Sequence, residues 1–344
     1  MTVFGQLVVG APGAGKSTYC EGMRQYLTAL GRKVALVNLD PANDEPPYAA
    51  TIDLRDLVEL TAVMEEFGLG PNGGLVYCLE YLELNMDWLQ QKLEEIEPST
   101  YVIFDFPGQL ELFTHCKSIQ NIAQLLSKDL DFRLCAINLI DAHHCSDASN
   151  FISASMLSLM MMLRLELPHV NVLSKVDLIE RFGALPFNLE FFMDQHELER
   201  LIPYLDAAPD SCGEKGSASG DDRATLASIS SNVDPSRLAY LERRRRLHGA
   251  LCELLSDFSL VTFETLDISS AESVGRVLSR VDKANGYVFQ GSSTARGSRR
   301  SSNIESEQEA AGSLFSKISS NIEMNAERTL FVQEKYTSRG KGGV

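Results

Sequence analysis

A glycine-rich run near the N-terminus carries the clearest chemistry in this sequence. Gly10-Ala-Pro-Gly-Ala-Gly-Lys-Ser17 fits the pattern G-x-x-x-x-G-K-[ST], between a predicted strand at 6–9 and a predicted helix at 16–30. In that setting the backbone N–H groups and the helix N-terminus face a polyphosphate, Lys16 reaches the β- and γ-phosphates, and Ser17 offers its hydroxyl to Mg²⁺. The predicted phosphate contacts are Gly10, Gly13, Ala14, Gly15, Lys16, Ser17 and Thr18.

Carboxylates directly after two further predicted strands complete a metal site. Asp40 follows the strand at 34–38, and Asp105 follows the strand at 101–104. Ligands of such sheets bind at the carboxyl edge of the strands, so we expect both side chains near the phosphates. Asp105 has the position at which a carboxylate holds Mg²⁺ directly or through water. The predicted metal contacts are therefore Ser17, Asp105 and Asp40.

The residues after Asp105 predict a sensor of the terminal phosphate. Asp105-Phe-Pro-Gly108 has the form D-x-P-G, in which the glycine lets the backbone approach the γ-phosphate. Gln109 and Asp40 are the side chains that we expect to orient the attacking water, and with Lys16 they are the catalytic residues predicted from these motifs. Two alternatives stay open: a turn or helix-cap role for Asp40, and a structural role for Gln109.

Ser174-Lys-Val-Asp177, after the predicted strand at 170–173, indicates which base is bound. The tetrapeptide is similar to the guanine-reading pattern [NTS]-K-x-D, in which the lysine stem covers the base and the aspartate accepts hydrogen bonds from its N1 and N2 edge. Adenine lacks those donors, and the unpaired buried carboxylate would reject it by orders of magnitude. The predicted base contacts are Ser174, Lys175 and Asp177, with Leu266 as the best placement of one further contact.

The elements that must position these residues follow from the hydrophobic pattern. Short apolar runs alternate with helix-length amphipathic stretches, which is typical of a parallel sheet with helices on both faces. The predicted strands lie at 6–9, 34–38, 101–104, 134–139, 170–173 and 260–263. The predicted helices lie at 16–30, 54–66, 87–95, 110–127, 149–165, 189–202, 237–257 and 270–284. We therefore predict an α/β fold of the P-loop NTPase class, with a doubly wound, mostly parallel sheet.

Composition divides the chain into one domain and two low-complexity segments. Residues 1–290 are predicted to form a single P-loop domain. Within it, 206–236 is rich in Ser, Ala, Gly and Asp, and after it 10 of the 30 residues in 291–320 are serine. Neither segment can bury enough apolar surface to offset the entropy of ordering it. We interpret the first as a disordered insertion, the second as a disordered linker, and 321–344 as a short C-terminal tail.

Charge and cysteine content narrow the partners and the compartment. The 344 residues include 31 Lys and Arg against 47 Asp and Glu, a net charge of −16. Such a charge repels nucleic acid phosphates and anionic membrane surfaces, so we expect neither as a direct partner. The seven cysteines are scattered without a C-x-x-C pair, and no targeting segment is recognisable. We expect a cytoplasmic protein, with or without passage to the nucleus.

Four motifs taken together resemble those of the GPN-loop GTPases. Gly70-Pro-Asn72 alone is only a turn tripeptide. Here it accompanies three other motifs, which are Asp40-Pro-Ala-Asn43, Asp105-Phe-Pro-Gly-Gln109 and Ser174-Lys-Val-Asp177. The resemblance covers about 4–205 and 237–289. Further phrases, such as Cys78-Leu-Glu-Tyr-Leu-Glu83, are most similar to the GPN-loop GTPase 2 branch of the family.

The resemblance implies more than the residues alone predict. It implies a Mg²⁺-dependent GTPase that binds GTP and GDP and forms a homodimer or a heterodimer with another GPN-loop GTPase. Asn72 would enter the active site of the other subunit as a catalytic residue, because an amide donor there can stabilise the charge of the transition state. The implied cellular role is assembly and nuclear localisation of RNA polymerases II and III, whose subunits or assembly factors would be partners.

Two other functions stay open on the sequence. A GTP-dependent binding scaffold with negligible hydrolysis would carry the same motifs, since nucleotide state alone can set partner affinity. A small-molecule kinase would use the same phosphate loop. The kinase is disfavoured, because kinases of that type bring an arginine-rich lid and lack both the guanine reader and D-x-P-G.

Overall fold

Seven parallel strands form one sheet in the computed structural model, which describes residues 3–97, 99–182, 185–194, 198–206, 235–258 and 261–287. The strands are β1 (Val3–Gly10), β2 (Val34–Asn38), β3 (Ile52–Asp53), β4 (Tyr101–Asp105), β5 (Phe132–Asp141), β6 (His169–Ser174) and β7 (Phe263–Thr265). Their order is β3-β2-β4-β1-β5-β6-β7, and every described pair runs parallel. The predicted doubly wound α/β fold is confirmed.

Helices cover both faces of this sheet. The described helices are α1 (Lys16–Ala29), α2 (Leu60–Phe67), α3 (Pro71–Leu84), α4 (Met86–Glu94), α5 (Leu110–Thr114), α6 (Ser118–Lys128), α7 (Ala148–Leu165), α8 (Leu189–Asp194), α9 (Pro235–Phe258) and α10 (Ala271–Ala284). Along β1, Leu7 and Val9 belong to the apolar cluster with α3, α4 and α6, whereas Val8 belongs to the cluster with α1 and α10. Successive side chains of a strand point to opposite faces, so a strand covered on both faces is apolar throughout.

Helix α7 is the described helix whose length and apolar content would permit it to cross a membrane. In the fold it packs against β5, α6 and α9. Met161 is buried in the core, while Met156 and Met162 pack against the neighbouring cluster under α8 and α9. The methionine-rich stretch of this helix therefore fills gaps in the protein interior, as methionine commonly does.

Two strands differ from the sequence prediction by more than their length. The strand predicted at 260–263 is wrong in position, since β7 is Phe263–Thr265 and Leu260 lies outside the described residues. Val261 is buried without belonging to the sheet, which explains why the apolar run pointed to the wrong residues. Strand β3 is only two residues long, too short for any periodicity to reveal it.

The helix that begins at Pro71 is absent from the sequence prediction. The pair Gly73-Gly74 lowers helix propensity and hides the helical pattern. In the structure, a Cβ on Gly74 would lie 2.8 Å from Leu60 Cδ1, so the glycine is where α2 and α3 approach closely. Gly70 is the N-cap and Pro71 is the first helical residue, a position whose backbone geometry suits proline. The GPN tripeptide is thus the start of a helix rather than a free loop.

Other predicted helices are correct in place but not in length. The helix predicted at 54–66 begins with a 3₁₀ turn at Leu54–Asp56, and α2 starts only at Leu60. The helix predicted at 110–127 is two helices, α5 and α6, and the one predicted at 189–202 is α8 followed by a 3₁₀ segment at Leu198–Asp206. Residues 207–234 and 288–344 lie outside the described residues, so the insertion, linker and tail stay predictions.

Candidate functional site

The glycine-rich run forms a tight loop between β1 and α1. Gly15 has φ +91° and is the N-cap of α1, a conformation that a residue with a Cβ adopts only at a cost. Helix α1 begins at Lys16, and Lys16 Nζ donates to the carbonyl oxygens of Gly10 (3.2 Å) and Ala11 (3.3 Å). No side chain caps the helix, so its first N–H groups are available to an anion.

Lys16 brings a positive charge into the interior of this loop. Its side chain is buried, and burial lowers its pKa, while the negative charges of Asp105 and Asp40 act in the opposite direction. One cation and two carboxylates therefore influence each other at the carboxyl edge of the sheet. The three strand ends predicted to converge, those of β1, β2 and β4, do converge.

Asp105 is buried at the end of β4 and is only half satisfied. Its Oδ2 accepts a hydrogen bond from the Tyr48 hydroxyl at 2.7 Å, while its Oδ1 is buried and makes no hydrogen bond. Burial raises the pKa of Asp105, and the hydroxyls of Tyr48 and Ser17 and the charge of Lys16 oppose that rise. A buried carboxylate oxygen without a partner is costly, which is the condition that a bound cation or its water would relieve.

The donors near Asp105 suit Mg²⁺ bound with a nucleotide rather than a resident ion. Within the described ranges no three His, Cys, Asp or Glu side chains gather into a metal-binding cluster. Mg²⁺ keeps several waters and is commonly held by one or two carboxylates plus substrate phosphates. The hydroxyl of Ser17 and the carboxylates of Asp105 and Asp40 fit that requirement.

Asp40 belongs to a turn that reaches the phosphate loop. Its carboxylate accepts from Ala42 N at 3.0 Å, and its own N–H donates to Asn38 Oδ1 at 3.2 Å. Burial raises the pKa of Asp40, and the bond from Ala42 acts in the opposite direction. Three residues on, Asn43 Nδ2 donates to Ser17 Oγ at 3.2 Å. The turn thus bonds directly to the hydroxyl that is predicted to bind the metal.

Gly108 lets the segment after β4 approach the phosphate loop. A Cβ at this position would collide with Lys16 Nζ and would lie 3.0 Å from Pro12 N. The next side chain, Gln109, has its Oε1 buried without a hydrogen-bond partner. Gln109 therefore follows the residue that contacts the loop, and its Oε1 is an acceptor without a hydrogen bond.

Ser174 and Lys175 bind the phosphate loop itself. Ser174 Oγ donates to the carbonyl of Ala14 at 2.8 Å, which uses a buried hydroxyl to tie β6 to the loop. Lys175 has φ +59°, and its Nζ bonds to Gly13 O at 2.6 Å and Asp141 Oδ2 at 2.8 Å. Asp177 is exposed in the turn that follows, and its carboxylate makes no hydrogen bond within the described chain.

The remaining predicted site residues lie in different surroundings. Thr18 is exposed on the first turn of α1. Leu266 is buried in the core; its N–H donates to Leu173 O and its carbonyl accepts from Val176 N, so it supports the turn that carries Asp177. Asn72 is exposed at the second position of α3 and makes no hydrogen bond in the described part of the chain.

Sequence reasoning missed two side chains that bond to site residues. Asp141 ends β5 and pairs with Lys175, but the predicted strand stopped at 139 and so left this carboxylate out. Extending the strand-end argument by two residues would have found it. Tyr48 lies in an irregular segment, and nothing in its sequence neighbourhood indicated that its hydroxyl reaches Asp105.

Comparison with known proteins gives matches over most of the chain. A family model described as "conserved hypothetical ATP binding protein" matches residues 8–287. GPN-loop GTPase QQT1 of Arabidopsis thaliana is 48% identical over 289 residues, or 84% of this chain and 87% of that protein. GPN-loop GTPase 2 of Danio rerio is 42% identical over 341 residues, or 99% of this chain and 94% of that protein. A GTPase of Pyrococcus abyssi, crystallised in apo form, has a TM-score of 0.58 at 22% identity over 82% of this chain and 97% of that one.

The family model's description names ATP, whereas the relatives are named GTPases. The residues agree with the relatives, since Ser174 and Lys175 bond to the phosphate loop and begin a tetrapeptide that is similar to the guanine-reading pattern. The two relatives match 84% and 99% of this chain, and the predicted resemblance is confirmed. The chain belongs to the GPN-loop GTPase family.

Proposed function

We propose that this protein binds GTP together with Mg²⁺ and hydrolyses it to GDP and phosphate. One observation carries the proposal, the convergence of three charged side chains on a single phosphate loop. Lys16 bonds to Gly10 O within the loop, Lys175 bonds to Gly13 O from β6, and the charge of Asp105 acts on Lys16 from β4. Such an arrangement supports the proposal, because it would bring contacts to the phosphates, the metal and the base together at one sheet edge.

Each proposed contact to the nucleotide follows from a group already in place. The N-terminal N–H groups of α1 and the ammonium of Lys16 would bind the β- and γ-phosphate oxygens. Ser17 and Asp105 would hold Mg²⁺, with Asp40 close by, and the bound ion would neutralise phosphate charge. The stem of Lys175 would cover the guanine, and Asp177 would accept hydrogen bonds from its edge.

Asp40 and Gln109 are the proposed water-positioning residues. The Oε1 of Gln109 is buried without a partner, so it can accept a hydrogen bond from a water. The water oxygen would form a bond to the γ-phosphorus while the bond to the β–γ bridging oxygen breaks, and the released proton would pass to Asp40 or to the phosphate. Burial, which raises the pKa of Asp40, favours a proton-accepting role there.

Asn72 is proposed to act on the nucleotide of a second subunit. Its amide is exposed, and α3 has no side-chain cap, so an amide N–H₂ and free backbone N–H groups share one helix end. Donors of this kind stabilise charge that develops on a transferred phosphoryl group. The second subunit would be another copy of this chain or another GPN-loop GTPase.

The test is GTP hydrolysis per mole of purified protein, measured over a dilution series with Mg²⁺ and with EDTA, and with ATP as the control nucleotide. We expect Mg²⁺-dependent hydrolysis of GTP alone, with a specific activity that rises with protein concentration. GTP binding with a flat rate near zero would favour the scaffold function or an absent heterodimer partner. Failure to bind GTP would reject the proposal.

We further propose, on the family resemblance, that the dimer assists RNA polymerase II and III assembly from the cytoplasm with passage to the nucleus. Nucleotide state would then set affinity for polymerase subunits or assembly factors, as a phosphate-sensing switch does. The corresponding experiment compares polymerase subunits captured from cell extract by the GTP-bound and GDP-bound protein. Equal capture in both states would remove the switch from this role.

A further inference from the structure

Tyr48 is a buried residue whose hydroxyl contacts the carboxylate proposed to hold the metal. The residue is 6% exposed and belongs to the apolar cluster with α1, although it lies in the irregular segment between β2 and β3. Its hydroxyl donates to Asp105 Oδ2 at 2.7 Å. A tyrosine hydroxyl is un-ionised at neutral pH, so it acts as the donor to this carboxylate.

The two oxygens of Asp105 are therefore in different states. Oδ2 is paired with Tyr48, while Oδ1 is buried and unpaired. A hydrogen bond to one oxygen fixes the rotation of a carboxyl group and leaves the other oxygen for a cation or a coordinated water. Partners of this kind, one bond removed from a metal, orient the ligand and strengthen metal binding.

The segment that carries Tyr48 is anchored at both ends. Asn43 Nδ2 bonds to Ser17 Oγ at its start, close to the proposed metal position. The next residue, Asp44, accepts through its carbonyl from Arg55, which follows β3. Near the end of the segment, Thr51 N donates to Leu36 O of β2 at 2.7 Å. These contacts hold the segment against β2 and β3, so the hydroxyl of Tyr48 is fixed relative to Asp105.

We propose that Tyr48 is a positioning residue for the metal site, whose hydroxyl holds Asp105 so that Oδ1 faces the Mg²⁺ of a bound nucleotide. This inference rests on the proposed function, because it assigns a role toward the ion that accompanies GTP. Tyr48 would contact neither the nucleotide nor the ion. Its effect would be on how much Mg²⁺ the complex requires, not on recognition of the base or the phosphates.

The experiment compares the full-length wild type with Tyr48→Phe and with Tyr101→Phe as the matched control. Tyr101 is buried at the start of β4, the strand that ends at Asp105, and its hydroxyl accepts from Asn285 Nδ2 at 3.2 Å. Each substitution removes one buried hydroxyl. Binding of a fluorescent GDP analogue is measured in EDTA and over a Mg²⁺ titration, and thermal unfolding of each protein is recorded in EDTA.

We expect Tyr48→Phe to raise the Mg²⁺ concentration for half-maximal effect about tenfold, the lower end for loss of such a partner. Its affinity for the analogue in EDTA should stay within about twofold of wild type. Tyr101→Phe should leave the Mg²⁺ midpoint within about twofold, even where its unfolding temperature falls as far as that of Tyr48→Phe.

Two results would overturn the inference alone: an unchanged Mg²⁺ midpoint in Tyr48→Phe, or equal shifts in both variants, which would attribute the effect to general loss of stability. A wild type that binds no guanine nucleotide under any condition would overturn the proposed function and this inference with it. The wild-type titration therefore separates the two failures.

Discussion

Helices α1 and α3 are both 14 residues long, and both begin after a glycine N-cap with no side-chain cap, yet their first residues have opposite surroundings. At the start of α1, Lys16 is buried, bonded to two loop carbonyls and influenced by two carboxylates. At the start of α3, Asn72 is exposed and makes no hydrogen bond in the described chain.

The difference extends to the glycine caps. Gly15 has φ +91°, which turns the loop back over the helix end and encloses Lys16, whereas Gly70 has φ −74° and ψ 168°, an extended geometry that leads the chain outward. One helix end is enclosed by its own chain, and the other is presented to solvent. The first suits binding a ligand within one subunit, and the second suits contact with a different molecule.

The largest effect is expected from a substitution at the enclosed end, which is the N-terminus of α1. Lys16→Ala removes the buried positive charge at the start of α1, so the rise in unfolding temperature on adding GTP and Mg²⁺ should disappear. Thermal unfolding with and without nucleotide measures this. The control is Lys33→Ala, which loses only an exposed ion pair with Glu97 and should keep the full GTP shift. A normal shift in Lys16→Ala would exclude the phosphate-binding role.

The presented end is tested by Asn72→Ala. Loss of a transition-state donor typically lowers turnover by about 10²–10³-fold, so we expect GTP hydrolysis to fall by about two orders of magnitude with GTP affinity unchanged. Asn85→Ala is the matched control, since Asn85 caps the far end of the same helix and bonds to Tyr81 O. If Asn72→Ala weakens GTP binding as strongly as hydrolysis, Asn72 contributes to nucleotide binding itself, which would contradict the proposed role in the transition state alone.

The same two helix ends show what the sequence could predict. The position of the glycine-rich run between a strand and a helix is predictable, because G-x-x-x-x-G-K-[ST] has a fixed backbone geometry and the flanking residues have an ordinary strand and helix pattern. Helix α3 was missed, because Gly73-Gly74 lowers propensity locally while the packing of Leu60 on Gly74 is decided by a different helix. Propensity is a local signal, and that contact is not local.

The carboxylates illustrate the same limit within the site. Asp40 and Asp105 were predicted because each follows a strand directly. Asp141 is the last residue of β5, two residues beyond the predicted strand, and it pairs with Lys175, 34 residues away along the chain. Tyr48 reaches Asp105 from a segment without periodicity. The positions of side chains at strand ends can be predicted from sequence, whereas pairings between distant segments require the fold.

Base recognition should show a smaller effect than loss of Lys16. In Asp177→Asn the charged acceptor becomes an amide, and loss of a charged hydrogen bond costs about 1.5–3 kcal/mol, or about 10- to 100-fold in GTP affinity. Affinity for a xanthine nucleotide should rise in the same variant, because its altered edge matches an amide. Competition binding with both nucleotides measures this. Tight GTP binding retained by Asp177→Asn would place base recognition elsewhere.

The smallest effect is expected from Asp141→Asn. This variant tests how far the enclosed end of α1 and its phosphate loop depend on residues outside the loop. Although burial raises the pKa of Asp141, bonds from Lys175 and His143 N hold it below its usual value. A depressed pKa in the folded state stabilises the protein above the pKa of the unfolded chain, and this contribution is lost as the pH falls through the folded-state value.

The pair is partly exposed, so Asp141→Asn should cost less than about 1 kcal/mol at pH 7. The difference in unfolding free energy between wild type and variant should vanish at acidic pH, where the Asp141 carboxyl is as neutral as the amide that replaces it. GTP affinity should fall only about threefold, which corresponds to about 0.7 kcal/mol. The effect is small because Lys175 keeps its bond to Gly13 O. Urea unfolding at pH 7 and at acidic pH, with GTP titrations at pH 7, measures both effects. A loss of GTP affinity as large as that of Asp177→Asn would mean that Asp141, rather than the loop, holds Lys175. The enclosed end of α1 would then depend on the partly exposed pair of Lys175 and Asp141.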